Sequence, residues 1–431
     1  MRNKVINNTV WIVGCKIVQS VLQLVINMLS ARYLGPSNYG LINYAASIAA
    51  FCIPIMQLGM RSTLVKEIVD RPEKEGQTMG TAIGMSVISS ILCIIGITTF
   101  TVIANGDEKT TVIVCLLYST SLIFQALEMV QYWFQAKLIS KYTSLTMLFA
   151  YIVVSIYKTI LLITRKNIYW FTVAQVIDFF IIAVVLLFIY KRVGGQKLTF
   201  SIKRGKELLS KSRYYIISGM MVTIFAQTDK IMLKFMVGDS GVGQYSAAVA
   251  SAGLTGFIFA AIIDSFRPSI IESKKAGSTN YGKKVGILSA IIIYLSLLQS
   301  LGMTLFSDLI VYILYGEDYA QSAGILMVLV WYTTFSYMGS VRNIWILAEE
   351  KHKYLWIINM SGALGNIALN LALIPIWGVQ GAAIASLITQ IFTNFIIGFI
   401  MPQIRDFNKL MLKGLNPSFV YAETKKLLKN R

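Results

Sequence analysis

The chain has 431 residues, 56% of them hydrophobic and 14% charged, and a net charge of +19. A soluble domain carries about 25% charged residues, so this composition excludes a soluble enzyme or binding module. Most of the chain consists of apolar segments of about 20 residues, the length one helix needs to cross a bilayer core of ~30 Å.

In chain order the first segment, near 8–33, carries Lys16, Ser20, Gln23, Asn27 and Ser30. At ~100° per residue these fall on one narrow stripe, and the other faces are Ile, Val and Leu. The second segment, 40–60, adds Asn43, Ser47 and Gln57, and apolar runs follow at 77–104 and 111–136, the latter holding Glu128. Segment 142–164 sets Ser144, Tyr151, Ser155 and Lys158 on one face, and 168–190 carries Asp178 near its middle. The longest charged stretch, 191–213, then separates six segments from six. Within it, 201–212 has the basic and apolar mix of a helix lying on a membrane surface, as does the chain from Lys409 to Arg431. Segment 212–237 carries a second stripe, Thr223, Gln227, Lys230 and Lys234, with Asp229 about a third of a turn away. Segments 243–266, 285–306, 322–347, 354–375 and 379–401 complete twelve, with Asp264 in the first of these and Arg342 in the third. The pattern predicts an all-α membrane protein with twelve transmembrane helices.

The basic residues set an orientation. Alternate connections (the N-terminus, 61–75, 137–141, 191–213, 267–284, 351–353 and the chain after 401) hold 30 of the 39 Lys and Arg. The intervening ones hold four: Arg32, Lys109, Arg165 and Lys166. The positive-inside rule then places both termini in the cytoplasm of a multi-pass cell-membrane protein. The positive charge reads as topology and contact with lipid headgroups, not as a nucleic-acid surface. Short basic flanks and no small-residue cleavage site argue against a removed signal peptide. Cys15, Cys52, Cys93 and Cys115 all fall inside segments, so no disulfide framework is expected. His352 has no Cys or His near it, so neither a metal nor another cofactor is expected.

An offset of 203 residues lays Gly35, Ser37, Gly40 and Ala45 on Gly238, Ser240, Gly243 and Ala248, and the first and second segments on the seventh and eighth. Six segments per half make the repeat parallel, an architecture of transporters whose ligand binds between the halves. The expected division is an N-terminal six-helix lobe at 1–195, a linker at 196–210, a C-terminal six-helix lobe at 211–402 and a basic tail at 403–431.

A lysine at the centre of a membrane helix costs about 2.5–3.5 kcal/mol on insertion scales, so such residues mark functional sites by default. The stripes predict a hydrated, cationic cavity lined by Lys16, Gln23, Asn27, Lys158, Gln227 and Lys230. Arg342 either joins them or snorkels to the cytoplasmic surface, and Lys234 is expected to snorkel to the other. Asp178 fits either an ion pair with a buried lysine or the coupling of a transported ion; Asp229, facing a neighbouring helix, is a second coupling candidate. More lysine than acid suits an anionic ligand, for which lysine is a compact, mobile point charge.

Several short motifs then converge. They are Tyr33-Leu34-Gly35-Pro36 with Tyr39-Gly40, Leu58-Gly59-Met60-Arg61, Asp229 to Leu233, Val242 to Ala248, Leu314 to Tyr319, and Asn370 through Pro375 to Gly378 and Gly381-Ala382-Ala383. With them the chain resembles the polysaccharide repeat-unit (O-antigen or capsule) flippases, relatives of lipid II flippases and multidrug extruders. Tyr315 stands where that family usually has Phe, and the family's cavity cations vary in position. The resemblance implies two six-helix lobes in a V around a central cavity. It also implies an undecaprenyl-pyrophosphate oligosaccharide as substrate, flipped to the outer leaflet by alternating access. Membrane lipid, a polysaccharide polymerase and chain-length machinery would be its partners. The motif glycines and prolines read as helix ends and turns. The alternative is a multidrug-and-toxin extruder, whose organic cations would want carboxylates and aromatic faces. A membrane polymerase or ligase would need a sizeable outer loop with catalytic groups, and the outer loops are short.

Overall fold

The computed structural model describes residues 2–278 and 280–416; the side chains of 2–13, 16 and 17 lie outside the description. All regular elements among the described residues are helical. The helices are α1 (Arg2–Met56), α2 (Arg61–Asp70), α3 (Glu75–Asn105), α4 (Lys109–Ser119), α5 (Ser121–Glu128), α6 (Gln131–Ala136), α7 (Lys141–Ile163) and α8 (Ile168–Arg192). They continue with α9 (Ile202–Met236), α10 (Asp239–Ala252), α11 (Gly256–Lys275), α12 (Tyr281–Leu305), α13 (Ser307–Tyr315), α14 (Gln321–Ala348), α15 (Lys353–Ile391), α16 (Ile397–Ile400) and α17 (Arg405–Gly414).

Among the described residues nine helical stretches are long and apolar enough to cross a membrane, or ten if the α10–α11 pair, bent by 48°, is one span. Two of the nine, Val18–Asp70 and Lys353–Ile400, run 53 and 48 residues, more than twice one crossing. The first is interrupted at Gly35 (φ 69°, ψ 170°) and the second at Gly378 (φ 56°, ψ −133°), a left-handed φ that glycine adopts without a Cβ clash. Gly238, the partner of Gly35 under the 203-residue offset, has the same conformation (φ 103°, ψ −178°) and opens α10.

The chain forms two compact units, Met1–Ile231 and Met232–Arg431. The boundary falls inside α9, later than the expected linker at 196–210, because that segment is docked on the first unit. Its extended part lies along a glycine row of α3. A Cβ on Gly76 would stand 2.5 Å from the Lys197 carbonyl, and one on Gly80 2.6 Å from Thr199 backbone atoms. The Gln196 side chain accepts from Gly76 N (3.2 Å) and donates to the Pro72 carbonyl (3.0 Å). The first turns of α9 then close on α2. Arg204, 4% exposed, pairs with buried Glu67 at 2.6 Å, and Lys211 reaches the other oxygen of that carboxylate at 2.5 Å. Leu208 completes a core with Leu64, Ile68, Trp133, Phe134 and Tyr190. The stretch 201–212 is thus helical from Ile202, as its pattern suggests, but the side chains of Arg204, Leu208 and Ser212 are buried in protein.

In the second unit the last span contains a π-turn, Phe392–Ile396. A π-turn frees carbonyls from the regular ladder. The Thr393 carbonyl accepts from Arg342, and the Phe395 carbonyl accepts from Asn408 Nδ2 at 2.9 Å. The described part of the basic tail begins as α17, whose Phe407 and Met411 pack in the core around Trp345 and Phe259.

Glu67→Gln leaves the buried Arg204 guanidinium with only the half-exposed Glu207 as an anion. It should lower stability by about 3 kcal/mol, read as thermal unfolding of the detergent-solubilised protein. Exposed Lys206→Gln should stay within ~0.5 kcal/mol; equal melting of the two variants would refute the clamp. Orientation is checked with single cysteines on a cysteine-free background. The loop bias predicts that an impermeant thiol reagent labels Asp107→Cys in intact cells and reaches Lys206→Cys only after permeabilisation. The reverse pattern would invert the orientation.

Candidate functional site

Part of the polar stripe of α1 borders a cavity. Gln23, Asn27 and Ser30 line a cavity of about 270 Å³ inside the first unit, and Lys158 of α7 lines the same cavity. Three of the sequence-predicted residues, Gln23, Asn27 and Lys158, therefore come together. The helix after the Gly35 break supplies Tyr39 and Asn43; α4 supplies Tyr118, and α8 supplies Phe171 and Gln175. Leu34, Ile42 and Ala46 form the apolar part of the wall.

The cavity lies in the half of the unit away from the basic connections. Lys158 is five residues from the end of α7 at Ile163, ~8 Å along the axis. Phe171 is fixed by stacking on Tyr33 (centroids 5.6 Å apart), whose hydroxyl donates to the Lys166 carbonyl at 3.1 Å. Ser30 and Asn43 are partly committed to their own helix, donating to the Ile26 and Tyr39 carbonyls. Gln23, Asn27, Tyr118, Lys158 and Gln175 make no hydrogen bond among the described residues.

Asp178 follows Gln175 by one helical step on the same face of α8. It stands near enough to Lys158 to feel its charge, without an ion pair within 4.0 Å among the described residues, and its Oδ1 is buried without a hydrogen bond.

The remaining candidates lie elsewhere. Gln227 accepts from the Ser47 hydroxyl at 3.0 Å, one turn beyond Asn43 on α1. Lys230 is half-buried and Asp229 buried on the same helix, α9. Lys16 falls outside the described side chains. Arg342 belongs to the second unit and is 3% exposed, so it does not snorkel; its guanidinium turns to the Thr393 carbonyl because the π-turn there leaves that group in need of a donor. Lys234 does not snorkel either, being buried and paired with Asp239 at 2.8 Å. Among the described residues no cluster of His, Cys, Asp and Glu could hold a metal ion.

Sequence reasoning missed Tyr39, Tyr118, Phe171 and Gln175. Gln175 had a signal, since it shares a face with Asp178 in an otherwise apolar segment. Tyr118 and Phe171 had none, because an aromatic residue in a membrane helix looks the same facing lipid or a cavity.

The chain covers 90% of a protein of Escherichia coli (strain K12) named "Putative O-antigen transporter", with 22% identity over 382 residues that make up 86% of this chain. Its fold matches the lipid II flippase MurJ in an inward closed conformation, with a TM-score of 0.73 and 17% identity, covering 94% of this chain and 91% of that one. It also matches an inward-facing multidrug resistance MATE family transporter of the MOP superfamily, with a TM-score of 0.68 and 13% identity, covering 91% and 95%. These likenesses are to transporters and flippases, not enzymes. The model of the polysaccharide biosynthesis protein family matches residues 5–272, well over half of the chain, together with the pocket-bearing unit, and the chain belongs to that family.

Proposed function

We propose that this protein flips an undecaprenyl-pyrophosphate-linked oligosaccharide from the cytoplasmic to the outer leaflet of a bacterial cell membrane. Both termini are cytoplasmic in this reading, and the two long stretches broken at Gly35 and Gly378 each cross twice, giving twelve crossings. The observation that carries the substrate class is the pocket of the first unit. Its one charged lining residue is Lys158, surrounded by amide and hydroxyl groups, within helices long and apolar enough to span a bilayer. A lipid-linked glycan needs such an environment to bring a polar, anionic head through hydrocarbon while its tail stays in lipid. A drug extruder for organic cations would present a carboxylate there, and among the described residues the lining has none. An inside-negative potential assists outward movement of an anion by about 2.3 kcal/mol per charge per 100 mV.

The test is export of the lipid-linked glycan by cells carrying single variants. Lys158→Ala and Lys230→Ala should each lower export about tenfold or more, the scale of one lost charged hydrogen bond, with near-normal protein abundance. Arginine at either position keeps the charge and should retain part of the activity. Full export by both alanine variants would overturn the reading.

A further inference from the structure

We infer that the pocket of the first unit is a saccharide subsite that holds one sugar ring and reads its hydroxyl groups. The inference rests on the flippase reading and adds a division of labour within the head group.

The lining is polar in a particular way. Gln23, Asn27, Tyr118, Lys158 and Gln175 all border the cavity, and none makes a hydrogen bond among the described residues. Three of them are amides, each offering two donors and one acceptor oxygen, and the phenol both donates and accepts. A sugar hydroxyl also donates and accepts, so it matches amides and phenols on both counts. A pyrophosphate only accepts, and it carries at least two negative charges. One lysine would leave it under-compensated, and half of the amide capacity would be wasted or repulsive. The cavity therefore suits the polyhydroxylated ring of the head group better than its diphosphate, whose charge Lys158 alone offsets only in part.

Shape agrees. A volume of about 270 Å³ falls just below the ~300–1,000 Å³ of drug-sized sites, room for one ring and not for a repeat unit. The Phe171 ring, clamped by its stack on Tyr33, gives a rigid apolar wall for the C–H face of the sugar, with Leu34 and Ile42 beside it. A site that hydrogen-bonds a hydroxyl discriminates strongly against a ligand without it, because its buried polar groups are then left unpaired.

The experiment compares two lipids in proteoliposomes. One is the lipid-linked glycan extracted from the producing cells, and the other is the same lipid pyrophosphate after its sugars have been removed. The wild type should move the glycan-bearing lipid at least about tenfold faster. Asn27→Leu and Gln175→Leu should each reduce that preference by about tenfold. Gln175→Asn, which withdraws the amide by one methylene, should lose part of the preference and serves if the leucine variants fail to fold. Equal loss for both lipids, or an unchanged preference, overturns the subsite alone. Movement of neither lipid by the wild type overturns the flippase reading and the subsite with it.

Discussion

Hydrocarbon offers no hydrogen bonds, so each backbone group left open in a membrane helix costs several kcal/mol unless protein covers it. The interruptions in this chain follow that constraint. At the Gly35 break the Leu34 carbonyl accepts from Asn38 Nδ2 at 3.1 Å. At the bend between α10 and α11 the Ala252 carbonyl faces Gln299 Nε2 at 3.5 Å. In the π-turn Arg342 and Asn408 serve the Thr393 and Phe395 carbonyls. Where the chain enters α2, the Leu58 carbonyl accepts from Ser212 at 2.7 Å. Many polar side chains in apolar segments are thus consumed by the backbone and are unavailable to a ligand.

That accounting gives the pocket its meaning. Several charged groups elsewhere are paired: Glu67 with Arg204 and Lys211, Lys234 with Asp239, and Glu75 with Lys137 at 2.6 Å. Ser47 and Gln227 meet each other. Gln23, Asn27 and Gln175 beside Lys158 are not used in this way, and they converge from α1 and α8.

The docked segment 196–212 constrains how that unit is built. Glycines at 76 and 80 on one face of α3 allow backbone to lie against backbone, Gly84 makes room for the Phe200 ring, and the Glu67 carboxylate then fixes α9 on α2. The cost of burying Arg204 is offset by two acceptors besides Glu67: Glu207 at 2.9 Å and the Thr78 hydroxyl at 3.1 Å.

Helix class, the apolar segments and the polar stripe of α1 were legible in the sequence, because a ~20-residue apolar length and a 100° period are local properties of the chain. Of that stripe, Gln23, Asn27 and Ser30 border one cavity with Lys158. The helix interruptions at Gly35 and Gly378 fall in motifs whose glycines read as turns. What the sequence could not decide was which polar groups are free. Arg342 and Lys158 look alike as lone cations in apolar runs, yet one serves a π-turn and the other lines a cavity. Lys234 has its partner five residues on, across a helix end, at a position no helical face analysis pairs with it. Tyr118 and Phe171 join the pocket only because α4 and α8 pack beside α1. Composition and periodicity are set residue by residue along the chain; the assignment of each polar group to a carbonyl, a counter-ion or a cavity depends on which helices meet, and only the tertiary structure decides that.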